Sequence, residues 1–219
     1  MSLDVAQEWN RRILRWERAR YSTLAALNPF AWTVRGRASL AVQTLFRQVR
    51  SGDSLLELGC GSGILAQRIL SLPFSRYTGR DSSPLAVEAA RRRFSRAAGG
   101  SRCSFDLSDV RTDLREVEAD LVFFFGLTDW LNPSEIESLL GRIRARVLVI
   151  SYTEAEAGLS IPFYRLYQRL APRKTPREFP RCYAGTELAA IFSRNGWTAR
   201  ESHRGGSLDP GRILVLHRG

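Results

Sequence analysis

The chain has 219 residues, 44% of them hydrophobic, and carries 33 Lys and Arg against 22 Asp and Glu, a net charge of +11. That length supports one sizeable core, no apolar run reaches the length of a membrane span, and Asp4, Glu8 and Arg11 interrupt any signal-peptide core. The three cysteines, Cys60, Cys103 and Cys182, show neither metal-ligand spacing nor an even-numbered disulfide framework, so a reducing cytoplasm is the expected compartment.

All the positive side-chain charge except Lys174 is arginine. A GC-rich genome accounts for that without any partner. An anionic partner accounts for it only if the arginines cluster, because the guanidinium fork suits carboxylates and phosphates.

In chain order, residues 3–27 place Trp9, Ile13, Leu14, Trp16, Tyr21 and Leu24 on a broad apolar stripe, which predicts an amphipathic helix. Asn28-Pro29 breaks it, and Pro29 suits a first helical position. A second helix is expected over 38–49, with Leu40, Val42, Leu45 and Phe46 facing inward. These helices precede the first strand. They read either as cover for a sheet edge or as a lid that brings Tyr21, Trp32 and Arg35 near a substrate.

Ser54-Leu55-Leu56-Glu57-Leu58-Gly59-Cys60-Gly61-Ser62-Gly63 reads as a buried strand, a glycine-rich turn and a helix start, with the helix over 64–70. Glycine allows positive φ and close approach of a ligand to the backbone, and such a turn at the end of a first parallel strand is where open α/β sheets bind nucleotides. The dinucleotide fingerprint spaces its glycines differently. Glu57 would also repel a pyrophosphate and attract an ammonium group. A second strand over 75–80 ends at Asp81, placed to accept ribose hydroxyls. Ser82-Ser83-Pro84 then opens a helix to about residue 94.

A third strand over 103–107 is followed by Ser108-Asp109-Val110. The apolar run 120–125 is the mark of a central parallel strand buried on both faces, and Gly126-Leu127-Thr128-Asp129-Trp130-Leu131 follows it. Asn132-Pro133 starts a helix to about residue 144, and 146–151 is a fifth strand. Residues 157–182 are rich in proline, aromatics and arginine. A helix over 185–195 ended by Gly196, and two closing antiparallel strands over 197–203 and 213–217, complete the chain.

Glu57-x-Gly59-x-Gly61-x-Gly63 with Asp81 resembles the class I S-adenosylmethionine-dependent methyltransferases, and the likeness extends over roughly residues 50–217. It implies a doubly wound, mostly parallel seven-stranded Rossmann-like α/β sheet with an antiparallel last strand. Residues 1–50 would then be the helical extension or lid, and 51–219 the methyltransferase domain with a helical cap insertion at about 157–182. The donor, S-adenosylmethionine, carries an ammonium and a sulfonium and no phosphate. It would meet Glu57, Gly59, Cys60, Gly61, Gly63, Asp81, Ser82, Asp109, Val110 and Phe125. In that family an acidic residue soon after the third strand contacts the adenine amino group; Asp109 matches, with Asp106 as the alternative.

Small-molecule members carry a run similar to 126–131 that lines both donor and acceptor, which points to Trp130 and to Asp129 as a general base. Tyr152, His203 and His217 are the other base candidates. The acceptor is expected to be a small anionic molecule methylated at oxygen, oriented by Tyr21 and by Arg165 and Arg169, which share one face of a helix in the insertion. Arg173, Lys174, Arg177 and Arg181 add charge to that segment. Arg169-Leu170-Ala171-Pro172-Arg173 resembles the late insertion of magnesium protoporphyrin methyltransferases, where a porphyrin carboxylate would need arginine.

Motifs for adenine or glutamine N-methylation and for cytosine C5 chemistry are absent. The alternatives are an RNA methyltransferase using the basic surface and a non-catalytic cofactor-binding module. No metal site is expected.

Overall fold

The predicted strands assemble into one sheet. The computed structural model describes residues 5–21, 29–157, 161–162, 180–205 and 209–219. Its elements are α1 (Val5–Tyr21), α2 (Pro29–Gln48), β1 (Ser54–Leu58), α3 (Ile64–Arg68), β2 (Arg76–Asp81), α4 (Pro84–Phe94), β3 (Cys103–Leu107), β4 (Val117–Glu118), β5 (Leu121–Phe124), α5 (Pro133–Arg142), β6 (Ile143–Arg144), β7 (Val147–Thr153), α6 (Gly185–Arg194), β8 (Trp197–Arg204) and β9 (Gly211–Arg218). Seven strands form the main sheet in the order β3-β2-β1-β5-β7-β9-β8. All pairs are parallel except β7–β9 and β8–β9, so the doubly wound fold with a reversed last strand is the one expected from the sequence.

The chain moves outward from β1 through β2 and β3, then returns to build β5 and β7 on the other side. The strand order therefore reverses between β1 and β5, where open sheets bind ligands beyond the strands' carboxyl ends. Alternation along the central strands divides the core. Leu55, Phe123 and Val149 pack with Ala41, Leu45, Ala66 and Val87 of α2, α3 and α4. Leu56, Val122 and Leu148 pack with Ile136, Leu139, Leu188 and Ile191 of α5 and α6. Every residue of β1 and β5 is buried, as strands covered on both faces require.

Local capping follows the sequence. Ser83 is the N-cap of α4, its Oγ accepting from Ala86 N at 3.2 Å, with Pro84 in the first turn. Asn132 and Glu135 form a reciprocal capping box on α5, with Asn132 Oδ1 accepting from Glu135 N at 2.9 Å and Glu135 Oε2 from Asn132 N at 2.7 Å.

Several boundaries differ from expectation. The second helix begins at Pro29, not at 38, and runs through Gly36. Among its described side chains Ala41, Thr44 and Leu45 are the buried ones, so Phe46, turned about 100° from Leu45, is 69% exposed rather than inward. Helix α3 stops at Arg68. Helix α5 stops at Arg142, because Ile143 turns extended and pairs with Val117 in a two-residue parallel bridge between β4 and β6. The strand predicted through Phe125 ends at Phe124, where Gly126 has positive φ and donates its N–H to Ser151 Oγ at 2.8 Å.

The segment between β7 and α6 has a closed neck. Glu154 bridges Tyr183 in parallel, Tyr183 N donates to Thr153 O at 2.9 Å and Ala155 N to Tyr183 O at 2.8 Å. Arg165, Arg169, Arg173, Lys174 and Arg177 lie outside the described residues, as does the side chain of Trp32.

Candidate functional site

The carboxyl ends of β1, β2, β5 and β7 open into a cavity of about 290 Å³, roofed by α1 and α2. Glu57, Gly59, Cys60, Gly61, Asp81, Ser82, Asp109, Val110 and Phe125 all line it, together with Tyr21, Asp129 and Trp130. Gly63 does not; it is the left-handed N-cap of α3, at φ 74°. Its added Cβ would lie 2.9 Å from the Phe94 ring, so glycine there serves packing beneath the turn. Tyr152, His203 and His217 are likewise outside the lining. Tyr152 donates to Glu154 at 2.8 Å, and His203 pairs with Glu201 on β8.

At the glycine-turn end, Glu57 is 3% exposed and accepts the hydroxyl of Tyr77. Burial pushes its carboxyl up to about 8, against the pull of that hydrogen bond, and the nearby Asp81 and Glu17 push the same way. Asp81, 4% exposed, accepts from Gly61 N at 2.8 Å and Ser83 N at 2.9 Å. Burial raises its carboxyl too, although both amides lower it. These two bonds tie the glycine turn to the end of β2, and each carboxylate oxygen keeps acceptor capacity beyond the one bond it makes. Asp109 is held by Arg111, whose Nε is 2.9 Å from Oδ1; burial raises its carboxyl, but the Arg111 bonds prevail and hold it below the usual range. Asp106 is not part of the lining.

At the other end Asp129 is 5% exposed. Its Oδ1 accepts from Thr153 N at 2.8 Å and its Oδ2 from Thr153 Oγ at 2.7 Å. Its backbone carbonyl accepts from Arg181 N at 2.7 Å, so both feet of the insertion hold this one residue. Burial raises the Asp129 carboxyl to about 6, against Thr153 and the positive charge of Arg37. Arg37, from α2, also lines the cavity and pairs with Asp209 just before β9, Nη2 to Oδ1 at 2.5 Å. Tyr21 carries the Arg68 guanidinium over its ring at 5.8 Å.

Sequence reasoning missed Glu17, Arg37 and Ser151. Glu17 sits on the buried stripe of α1, four positions from Ile13 and from Tyr21, and is 8% exposed. Its Oε1 accepts from Ser62 N at 3.0 Å and its Oε2 accepts from Ser62 Oγ. Gly61 lies against it at φ 55°, where a Cβ would sit 2.6 Å from Glu17 Oε1. A carboxylate interrupting an apolar stripe is the signal that could have marked it.

Residues 56–148 match the family model described as "Methyltransferase domain". A mitochondrial ubiquinone biosynthesis O-methyltransferase of Schizosaccharomyces pombe is 29% identical over a match covering 49% of this chain and 46% of that protein. Ribosomal protein L11 methyltransferase of Laribacter hongkongensis is 44% identical over 24% of this chain and 18% of its own. The chain thus spans less than half the length of these curated relatives. Among solved structures, magnesium protoporphyrin IX methyltransferase from Synechocystis PCC 6803, with bound S-adenosylhomocysteine, superposes with a TM-score of 0.78 at 18% identity over 98% of both chains. That likeness is one of fold. Among the described residues, no helix is long and apolar enough to cross a membrane.

Proposed function

We infer that this chain, whose residues 56–148 form a methyltransferase domain of the class I, S-adenosylmethionine-dependent kind, transfers a methyl group from S-adenosylmethionine to oxygen of a small anionic acceptor. One observation carries the reading: a single cavity joins the glycine turn and Asp81 to a second buried carboxylate, Asp129, with the Arg37 cation beside it. The O-methyltransferase among the relatives supports oxygen as the target.

When bound, S-adenosylmethionine supplies a methyl group on a sulfonium, and transfer is an in-line displacement. Glu57, protonated at neutral pH while no cation faces it, ionises as the donor's ammonium group arrives and accepts from it, and Asp81 offers acceptor lone pairs to its ribose. Phe125, Leu127, Ala38 and Ala41 make the cavity wall apolar and exclude water. Asp129, at about 6, is mostly ionised at neutral pH yet basic enough to take a proton from an acceptor hydroxyl. Thr153 holds that carboxylate with two donors. Arg37 gives an anionic acceptor a positive partner at the same end of the cavity. A carboxylate acceptor would need no base.

Titration calorimetry with S-adenosylmethionine, followed by transfer from labelled donor to a panel of hydroxyaryl and porphyrin carboxylic acids, tests the reading. Binding with label in one acid class is expected. Tight NAD binding without S-adenosylmethionine binding overturns it. RNA as the acceptor is supported by Arg11, Arg15 and Arg18, exposed along one face of α1; label recovered in RNA alone would decide for it.

A further inference from the structure

Three carboxylates from three separate parts of the chain meet the donor half of the cavity: Glu57 from β1, Asp81 from β2 and Glu17 from α1. All three are buried, at 3%, 4% and 8% exposure. Their hydrogen-bond partners are neutral: the Tyr77 hydroxyl, the Gly61 and Ser83 amides, and the Ser62 amide and hydroxyl. Glu17 adds to the negative potential at both of the others. Glu57 and Asp81 belong to the sheet and stay whatever the extension does. Glu17 is there only because α1 lies on the glycine turn, and Gly61 lacks the Cβ that would push it away.

We propose that Glu17 is a donor-binding residue that distinguishes S-adenosylmethionine from its spent product by charge, and so ties the seating of α1 to the state of the donor. The inference rests on the methyltransferase reading. In transfer the S–CH3 bond breaks, its electron pair stays on sulfur, and a sulfonium becomes a neutral thioether. The donor, with ammonium, sulfonium and carboxylate, has net charge of one positive unit; the product has none. A group of carboxylates with neutral partners is stabilised by the first and not by the second. Asp81, and Glu57 once a cation draws off its proton, supply a part of that preference that does not depend on α1. Glu17 supplies the part that depends on α1, so loss of the sulfonium charge weakens the hold of the helix over the cavity and favours product departure.

The test uses the full-length chain and known ligands. Calorimetry at pH 7.5 compares wild type, Glu17→Gln and Glu17→Asp with S-adenosylmethionine, S-adenosylhomocysteine and sinefungin, which carries an ammonium-bearing carbon in place of the methylated sulfonium. Glu17→Gln keeps an acceptor for the Ser62 amide but loses the charge. It should weaken S-adenosylmethionine and sinefungin about tenfold, the size of one charge pair roughly 6 Å apart at an effective dielectric of about 40, and S-adenosylhomocysteine less than threefold. Glu17→Asp keeps the charge and should keep the donor-to-product ratio within threefold of wild type, which also covers the case in which the glutamine variant does not fold. Trypsin cleavage within α1, at Arg11, Arg15 or Arg18, should be slowed by donor more than by product in wild type, and equally by both in Glu17→Gln. Equal weakening of donor and product, or no weakening of either, overturns the proposal while leaving the methyltransferase reading intact. Failure of wild type to bind S-adenosylmethionine overturns that reading first.

Discussion

Replacing Glu57 by glutamine should make the protein more stable at neutral pH and unable to hold the donor. In the native state burial raises this carboxyl from 4.5 to about 8. The folded pKa lies above the unfolded one, so the contribution is fully present below 4.5 and is lost as pH rises through 8. At pH 7.5 the unfolded chain gains from ionising Glu57 while the folded chain does not, a difference of about 3–4 kcal/mol at 1.36 kcal/mol per unit. At pH 5 the same difference is about 1 kcal/mol. Glutamine has no proton to release, and its side-chain oxygen can still accept from the Tyr77 hydroxyl. Glu57→Gln should therefore exceed wild type by about 3 kcal/mol at pH 7.5, or roughly 6–12 °C in Tm, with the gap closing toward pH 5. Urea denaturation at the two pH values measures it, with calorimetry for the donor. A gap that does not shrink on acidification, or a variant less stable than wild type at pH 7.5, refutes the assignment of a buried, neutral Glu57.

Asp81→Ala removes two amide acceptors and the proposed ribose contact, and should raise the dissociation constant for S-adenosylmethionine at least tenfold, since hydrogen bonds to charged groups contribute about 1.5–3 kcal/mol each; calorimetry reads it. Asp129→Asn should lower transfer to a hydroxyl acceptor by about 100-fold with donor affinity nearly unchanged. In wild type the rate should fall below about pH 6, as the Asp129 carboxyl takes up its proton, and the asparagine variant should lack that inflection. Gly61→Ala forces a side chain into positive φ and against Glu17 Oε1, so it should lift α1 and speed trypsin cleavage there, which a digestion time course with intact-mass readout follows.

Strand order and the meeting of the glycine turn with Asp81 in one cavity were legible because their signals are local: apolar runs, a glycine turn and Asp81 some twenty positions on. The long second helix was harder to see, since Gly36 weakens the pattern and packing on the sheet overrides propensity. Phe46 was misjudged because hydrophobicity alone does not say which face of a helix meets the core. Glu17 and Arg37 were hidden for a different reason. Each gains its meaning from a partner far away in sequence, Ser62 for one and Asp209 for the other, and no spacing rule joins such positions.

The closed neck after β7 bears on how this chain can change over time. Backbone bonds among Thr153, Ala155 and Tyr183 bring the chain back to the point from which it left. The segment between those feet can then be lengthened, shortened or exchanged at small cost, because closing a flexible loop of twice the length costs only about 0.6 kcal/mol more. The sheet register and the glycine turn lie outside that segment. If that stretch meets the acceptor, as expected from the sequence, acceptor preference can be rewritten in one stretch of gene while the glycine turn and the sheet are inherited unchanged.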